Sequence, residues 1–397
     1  MRSFQLDLKK KSMKDISIYL LPLDAEVKYH ANQIGSAIQS FNTESGFPEL
    51  KKGGVALFHV PEYRGDKKAC PHNPEQFREF FYTLNLGVGW EMPLYDLGEV
   101  LPGSTINDTY FAVSQIVEEC VKIGVVPLIV GGSQDLTIAM YKGYAALEQI
   151  VNICSVDYSL DLGSPEVDAH AEGYLSQLLM QRPCYLFNHA NIGAQAPFVS
   201  RDEFDLFDKL YFDICRLGEY NANFRKAEPH LRNSDLLSID FSSIRGSELR
   251  EPWYTSPNGF YADQICQIAK YAGISDKLTS MGVFNYYPEF EAGSSSALLA
   301  QVLWYFIDGV SQRKGDFPIG SKRDYLRFIV HINDFKEELI FYKSNRSERW
   351  WMEVPYPTQK GSNYERHHLV PCDAMDYEMA MKNEIPDLWW KTYQKLS

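Results

Sequence analysis

Three aspartates stand at the ends of apolar runs that read as buried strands: Asp157 and Asp161 follow VNICSV, and Asp240 closes LLSID. In an open parallel sheet, functional residues gather at the carboxyl ends of the strands, so these carboxylates are expected to converge at one edge. Gln134 is expected beside them, in the Gly131-Gly132-Ser133-Gln134-Asp135 stretch that follows VVPLIV, together with the hydroxyls of Ser133, Ser159 and Ser242. Carboxylates within about 4–6 Å of one another disfavour each other's ionisation, so such a group either neutralises its charge with a cation or holds protons. Arg245, on the loop after Asp240, is a basic side chain placed to supply that charge.

The elements that must position these residues alternate along the chain. GVALFHV (54–60), VVPLIV (125–130), VNICSVD (151–157), CYLFNHA (184–190), KLYFDI (209–214), LLSIDFS (236–242) and KLTSMGVFNY (277–286) read as strands. PEQFREFFYTL, FAVSQIVEECVKIG, DLTIAMYKGYAAL, ADQICQIAKYAGI and SSALLAQVLWYFIDGV carry helical spacing. Strands alternating with helices predict a parallel α/β sheet covered on both faces. From about Ser321 the texture changes, giving an expected division into residues 1–320 and 321–397. YLRFIVHI and EELIFYKS, joined by NDFK, read as a β-hairpin, and Trp350, Trp351, Trp389 and Trp390 crowd the tail. These tryptophans either pack the extension onto the main domain or form a subunit interface, and composition does not separate the two.

The 397 residues are 45% hydrophobic, 23% charged and 14% aromatic, which excludes a mainly disordered chain. A net charge of −13 argues against nucleic acid as a partner, and Lys9-Lys10-Lys11 is too short a basic run to change that. No run approaches the roughly 18 apolar residues that span a bilayer, so no membrane partner is expected. ISIYLLPL, with an acidic flank and no small-residue cleavage site, reads as a strand and not as a signal peptide. Cys70, Cys120, Cys154, Cys184, Cys215, Cys266 and Cys372 are odd in number and form no CxxC pair, as expected of reduced thiols in a cytoplasmic protein.

In order along the chain, Gly131-Gly132-Ser133-Gln134-Asp135, Asp157-Tyr158-Ser159-Leu160-Asp161 and Ser238-Ile239-Asp240-Phe241-Ser242 resemble the Gly-Gly-Asp-His-Ser, Asp-Ala-His-x-Asp and Ser-x-Asp-x-Asp motifs of the arginase (ureohydrolase) superfamily. That superfamily includes arginases, agmatinases and formimidoylglutamases. The flanks GVALFHVPEYRGD and SPNGFYADQICQIAKYAG strengthen the resemblance, which covers roughly residues 50–312. It implies a three-layer α/β/α fold with a mainly parallel sheet of about eight strands, two Mn2+ ions on two histidines and four aspartates, an amidine or guanidine ligand, and homo-oligomers. The chain departs from this pattern at the chemistry itself. Gln134 and Ser159 stand at the histidine positions, Ser242 replaces an aspartate, and Asn285-Tyr286-Tyr287-Pro288 replaces the segment whose glutamate contacts guanidinium in arginases. His170 lies near the expected place of the proton-shuttle histidine, without an alignment that carries the role over.

Of the ligands that the resemblance implies, Asp157, Asp161 and Asp240 remain, with Gln134 as an added amide oxygen. This all-oxygen set suits one hard divalent cation, Mn2+, Mg2+ or Ca2+, or none; Ser133, Ser159, Ser242 and Asn285 are the cleft-lining candidates. Two functions follow. The chain is either a non-catalytic member with a ligand-binding or assembly role, or a diverged formimidoylglutamase-like hydrolase of linear amidine or guanidine C–N bonds at a single metal. Other groups carry less. His367-His368 reads as solvated surface and His59 as a hydrogen-bonded core histidine. No G-x-S-x-G elbow is present, and Gly131-Gly132 lacks a P-loop lysine.

Overall fold

The computed structural model describes residues 14–396 apart from 25–27, 67–70, 72, 164–169, 255, 289–292, 319–321, 334 and 357–365. Lys9-Lys10-Lys11, Cys70 and the expected division at residue 320 lie outside the described residues.

The main sheet comprises β1 (Leu20–Leu21), β2 (Gln39–Ser40), β3 (Val55–Val60), β4 (Leu94–Val100), β5 (Val126–Gly131), β6 (Val151–Val156), β7 (Leu186–Ile192), β8 (Asp213–Cys215), β9 (Leu236–Asp240) and β10 (Ser280–Phe284). Its order is β1-β4-β3-β5-β10-β9-β6-β7-β8, with β2 also on β4. From β4 to β8 all neighbours are parallel, which gives the eight parallel strands expected; β1 is antiparallel to β4 and β2 parallel to it.

Alternate residues of one strand face opposite sides of a sheet. On β3, Val55 and Leu57 enter one core, while Ala56, Phe58 and Val60 enter the other. Helices Ala262–Ile274 and Ser294–Ser311 pack on the first face, and Ile106–Ile123 and Leu136–Ala146 on the second. The result is three layers. Local chemistry fixes the boundaries: Ile106–Ile123 starts at a capping box of Thr105 and Asp108 and ends at Gly124, where φ is 76°. ISIYLLPL departs from the strand expectation. Ser17–Tyr19 is a 3-10 turn and only Leu20–Leu21 pairs, because β4 offers its antiparallel edge only at Glu99 and Val100. No helix among the described residues is long and apolar enough to cross a membrane.

The expected hairpin forms from β11 (Tyr325–Val330) and β12 (Leu339–Ser344), and it belongs to a larger antiparallel sheet, β11-β12-β13-β14, with β13 (Trp350–Glu353) and β14 (Leu369–Cys372). Helices Ala374–Met381 and Asp387–Leu396 complete this unit. Trp389 is fully buried in its core and stacks on Tyr393 at 5.0 Å. Trp351 is also fully buried, with the Arg232 guanidinium of the main layer 4.7 Å from its ring centroid. Trp350 stacks on Tyr377 at 5.1 Å, whereas Trp390 is 46% exposed.

The extension docks at the amino-terminal ends of the main strands. Arg366 donates to Asp235, just before β9, at 2.8 Å; His367 Nε2 meets the carbonyl of Ile150, just before β6, at 3.3 Å; and Lys395 binds Asn188 on β7. His367 is therefore not solvated surface as its polar neighbours suggest: it is 2% exposed, and burial lowers its pKa well below the usual value.

Candidate functional site

Four strand ends, those of β5, β6, β9 and β10, build the cleft at the opposite edge of the sheet. After β5 the chain turns sharply at Gly132, where a Cβ would lie 1.9 Å from the carbonyl oxygen of Glu62, so only glycine admits the close approach. Ser133 then donates from its backbone N to that same carbonyl at 2.9 Å and from Oγ at 3.2 Å, which ties the β5 loop to the segment after β3. Next comes Gln134, 1% exposed, whose backbone N donates to Asn285 Oδ1 at 3.1 Å. Asn285 follows β10 in the left-handed region, with φ of 56°, a conformation asparagine tolerates. Its backbone N reaches Gly132 at 2.6 Å and its Nδ2 donates to Asp240 Oδ1 at 3.0 Å. One side chain thus links the ends of β5, β10 and β9.

The carboxylates converge as the strand ends predict, and their own loops satisfy them. Ser159 donates to Asp157 Oδ1 from its backbone N at 2.9 Å and from Oγ at 3.2 Å, and the same Oγ lies 2.6 Å from Asp161 Oδ1. Ser242 donates its backbone N to Asp240 Oδ1 at 2.7 Å and sets its Oγ 2.7 Å from both carboxylate oxygens. Asp157, Asp161 and Asp240 are 1%, 7% and 3% exposed. Burial pushes Asp161 up to about 7, against the hydrogen bonds from Asp157 and Ser159. Burial and then the Asp157 charge push Asp240 up to about 7, against the hydrogen bonds of Ser242 and Asn285. Asp157 is raised well above the usual range by burial and then by Asp161. The Gln134 side chain opposes that rise, though neither Asp157 Oδ2 nor Gln134 Nε2 has a partner at ordinary hydrogen-bond geometry. A proton on Asp157, donated toward Asp161, relieves the repulsion within the pair.

Arg245 does not neutralise this group. Its guanidinium donates to the Gly259 carbonyl at 3.0 and 3.3 Å and lies 3.4 Å over the Tyr261 ring, because the loop after Asp240 turns the side chain onto its own neighbours. His170 packs against Gly173, where a Cβ would come within 2.4 Å of its ring. His59 is fully buried with Nδ1 3.0 Å from Glu99 Oε2, the hydrogen-bonded core histidine expected.

Two groups escaped the sequence reading. Asp135, fully buried, accepts from the Tyr110 hydroxyl, and burial raises its pKa to about 6. Nearby, Glu62 binds Arg64 and accepts from Thr109 at 2.8 Å. Secondly, a cluster of tyrosines adjoins Asn285. Tyr254 donates to the Asn285 carbonyl at 2.6 Å and accepts from the Tyr287 backbone at 2.7 Å, and Tyr63 lies 5.4 Å from the Tyr287 ring. The aromatic run NYYP was visible, but its inward orientation depends on the turn at Asn285.

This donor set does not fit the two-metal centre that the resemblance implies. Both histidine positions hold residues without imidazole, and the hydroxyls of Ser159 and Ser242 already engage the oxygens a cation would need. Among the described residues no group of three or more His, Cys, Asp and Glu is arranged to hold a metal ion.

No protein-family model matches the chain, and no curated protein matches it by sequence. Solved structures do match its fold. The crystal structure of Trypanosoma cruzi formiminoglutamase with Mn2+ superposes with a TM-score of 0.61 at 18% identity, covering 71% of this chain and 99% of that one. Formimidoylglutamase from Bacillus subtilis gives 0.62 at 16% identity over 79% and 97%. Agmatine ureohydrolase of Thermoplasma volcanium gives 0.57 at 16% over 72% and 96%. The chain has the arginase-type fold that its three motifs suggest.

Proposed function

We propose that this protein has an arginase-type fold whose strand-end cleft no longer performs two-metal hydrolysis, which leaves it a ligand-binding or assembly role. The observation that carries this reading is the position of two serine hydroxyls. Ser159 bridges Asp157 to Asp161 and Ser242 spans both oxygens of Asp240, so hydrogen bonds hold the loops together where the family uses cations. A bridging metal hydroxide requires a bound ion to lower the pKa of water, and this cleft spends its carboxylates internally. The test is metal content of the purified protein with thermal shifts in Mn2+, Mg2+ and Ca2+. A ligand that binds only the folded state at a hundredfold excess over Kd adds about 2.7 kcal/mol. The expected result is no stoichiometric metal and no shift; one metal per chain with a clear shift overturns the reading.

A second reading rests on the two buried atoms without partners, Asp157 Oδ2 and Gln134 Nε2. In it a single divalent cation on Asp157, Asp161, Asp240 and Gln134 supports hydrolysis of a linear amidine or guanidine. Support would come from Mn2+-stimulated release of urea, ammonia or formamide that Asp157→Asn abolishes. Activity that survives Asp157→Asn would exclude this site.

A further inference from the structure

We propose that β11 is a self-pairing edge, to which a second copy of this chain adds its own β11 antiparallel, with Phe328 opposite its counterpart. This proposal rests on the assembly role above and names the surface.

β11 ends the four-stranded sheet, and nothing among the described residues pairs with its outer side. At the other end, Arg232 donates to the Cys372 carbonyl on β14 at 2.9 Å, so that edge is engaged by the main layer. The direction of the free backbone groups follows from one bond. Asn345 N donates to the Asp324 carbonyl at 2.9 Å, and Asp324 and Asn345 continue the β11–β12 register as a hydrogen-bonded pair. Hydrogen-bonded and non-bonded pairs alternate along an antiparallel ladder, so Leu326, Phe328 and Val330 bond to β12. The N–H and C=O groups of Arg327 and Ile329 and the C=O of Tyr325 then point outward, the Tyr325 N–H being taken by the Lys322 carbonyl at 3.2 Å. The side chains along this edge leave apolar surface open: Leu326 is 51% and Ile329 44% exposed, and Arg327 is the one charged residue in the strand, which holds no proline or lysine.

The sequence of β11 fits itself. A two-fold axis through Phe328 keeps the helix-covered faces of both sheets on one side, since opposed residues then share a face. In that register Arg327 opposes Ile329 of the second copy, Leu326 opposes Val330, Tyr325 opposes His331 and Asp324 opposes Ile332. No like charges meet, and both exposed aliphatic side chains are covered. Shifting the register by two residues sets Arg327 against Arg327 in one direction and against His331 in the other, and like charges directly opposite destabilise a ladder. Arg327 has no ion-pair partner among the described residues, so its aliphatic stem is free to lie over Ile329.

The test uses the full chain and light scattering from about 1 to about 100 µM, a range that reads a concentration-dependent equilibrium. The expected mass rises toward twice 45.6 kDa in the native chain and stays at 45.6 kDa in Ile329→Lys, a change at an exposed position that leaves the circular dichroism spectrum unaltered. A second measurement reads the register. In a Cys184→Ser background, the Arg327→Cys/Ile329→Cys variant places each new thiol about 5.5 Å, Cα to Cα, from its opposite on the second copy, within disulfide reach. With oxidised glutathione taking the two electrons and two protons, a covalent dimer forms. A native chain that is monomeric throughout, an Ile329→Lys dimer, or a dimer that does not cross-link overturns the proposal. A metal-free monomer would overturn this interface and leave the account of the cleft standing.

Discussion

Ser242 sets its hydroxyl 2.7 Å from each of the two carboxylate oxygens of Asp240. A hydroxyl has one proton, so one contact is a hydrogen bond at any instant and the other is its alternative. Together with the backbone N of Ser242 and the Asn285 amide, this leaves Asp240 enclosed by donors. Ser242→Ala should cost about 1–2 kcal/mol, the range for a buried group left short of a partner. It should also raise the Asp240 pKa further, because the Ser242 bonds oppose the rise. Urea denaturation reads the first effect and carboxyl titration by NMR the second. An unchanged midpoint and an unchanged titration would remove Ser242 from its assigned role.

The raised carboxyl pKa values set a pH dependence. Asp161 and Asp240 titrate near 7 in the folded chain against 3.8 for the usual carboxyl, so the folded state binds protons that the unfolded state releases across that interval. Stability then falls as pH rises from about 4 to about 7, since its slope follows the protons bound by the unfolded state minus those bound by the folded state. Asp157→Asn, which keeps a donor toward Asp161 and removes an ionisable member, should flatten that slope and stabilise the protein at pH 7–8. Thermal unfolding across this range decides it. A rising profile, or a variant less stable than the native chain at pH 8, would contradict the shared-proton arrangement.

The strand ends were legible because continuous apolar runs such as VVPLIV and VNICSV suit only a sheet buried on both faces. Their carboxyl ends therefore fixed where Gln134, Asp157 and Asp240 would meet. What sequence does not carry is side-chain direction after the strand. Arg245 follows Asp240 closely, yet it turns to the Gly259 carbonyl and the Tyr261 ring. His367 reads as polar surface until Asp235 and Asn188 supply the buried polar floor on which the extension docks. Asp135 is similar: its partner Tyr110 lies on a helix whose facing depends on packing across the sheet.

That docking makes a separate prediction. Asp235 is fully buried, and Arg366, 31% exposed at its side chain, is its ion-pair partner at 2.8 Å. Removing one partner of a buried pair leaves an uncompensated charge, which costs several kcal/mol when both are enclosed. Because Arg366 is partly hydrated, Arg366→Gln should cost about 2 kcal/mol. The loss should appear as one cooperative transition that includes the main sheet, because Asp235 also accepts from the backbone of Asn152 at 2.9 Å. An early separate transition of the extension alone would show that the contact does not couple the two sheets.

Either the residue types or the shape of the loops keeps cations out of the cleft. The variant Gln134→His/Ser159→His/Ser242→Asp returns the three positions to the pattern that the resemblance implies, and it removes both serine hydroxyls from Asp157, Asp161 and Asp240. Imidazole is a far better donor to Mn2+ than an amide or a protonated hydroxyl. Losing the internal hydrogen bonds should lower the stability of the metal-free variant, and Mn2+ should restore it in proportion to ln(1 + [Mn2+]/Kd). The native chain should show no such dependence. A variant that is destabilised yet indifferent to Mn2+ would place the barrier in the backbone instead, where Asp161 and Asn285 hold left-handed conformations at φ of 49° and 56°. Those two residues would then be the next positions to change, since they aim the Asp161 carboxyl and the Asn285 amide into the cleft.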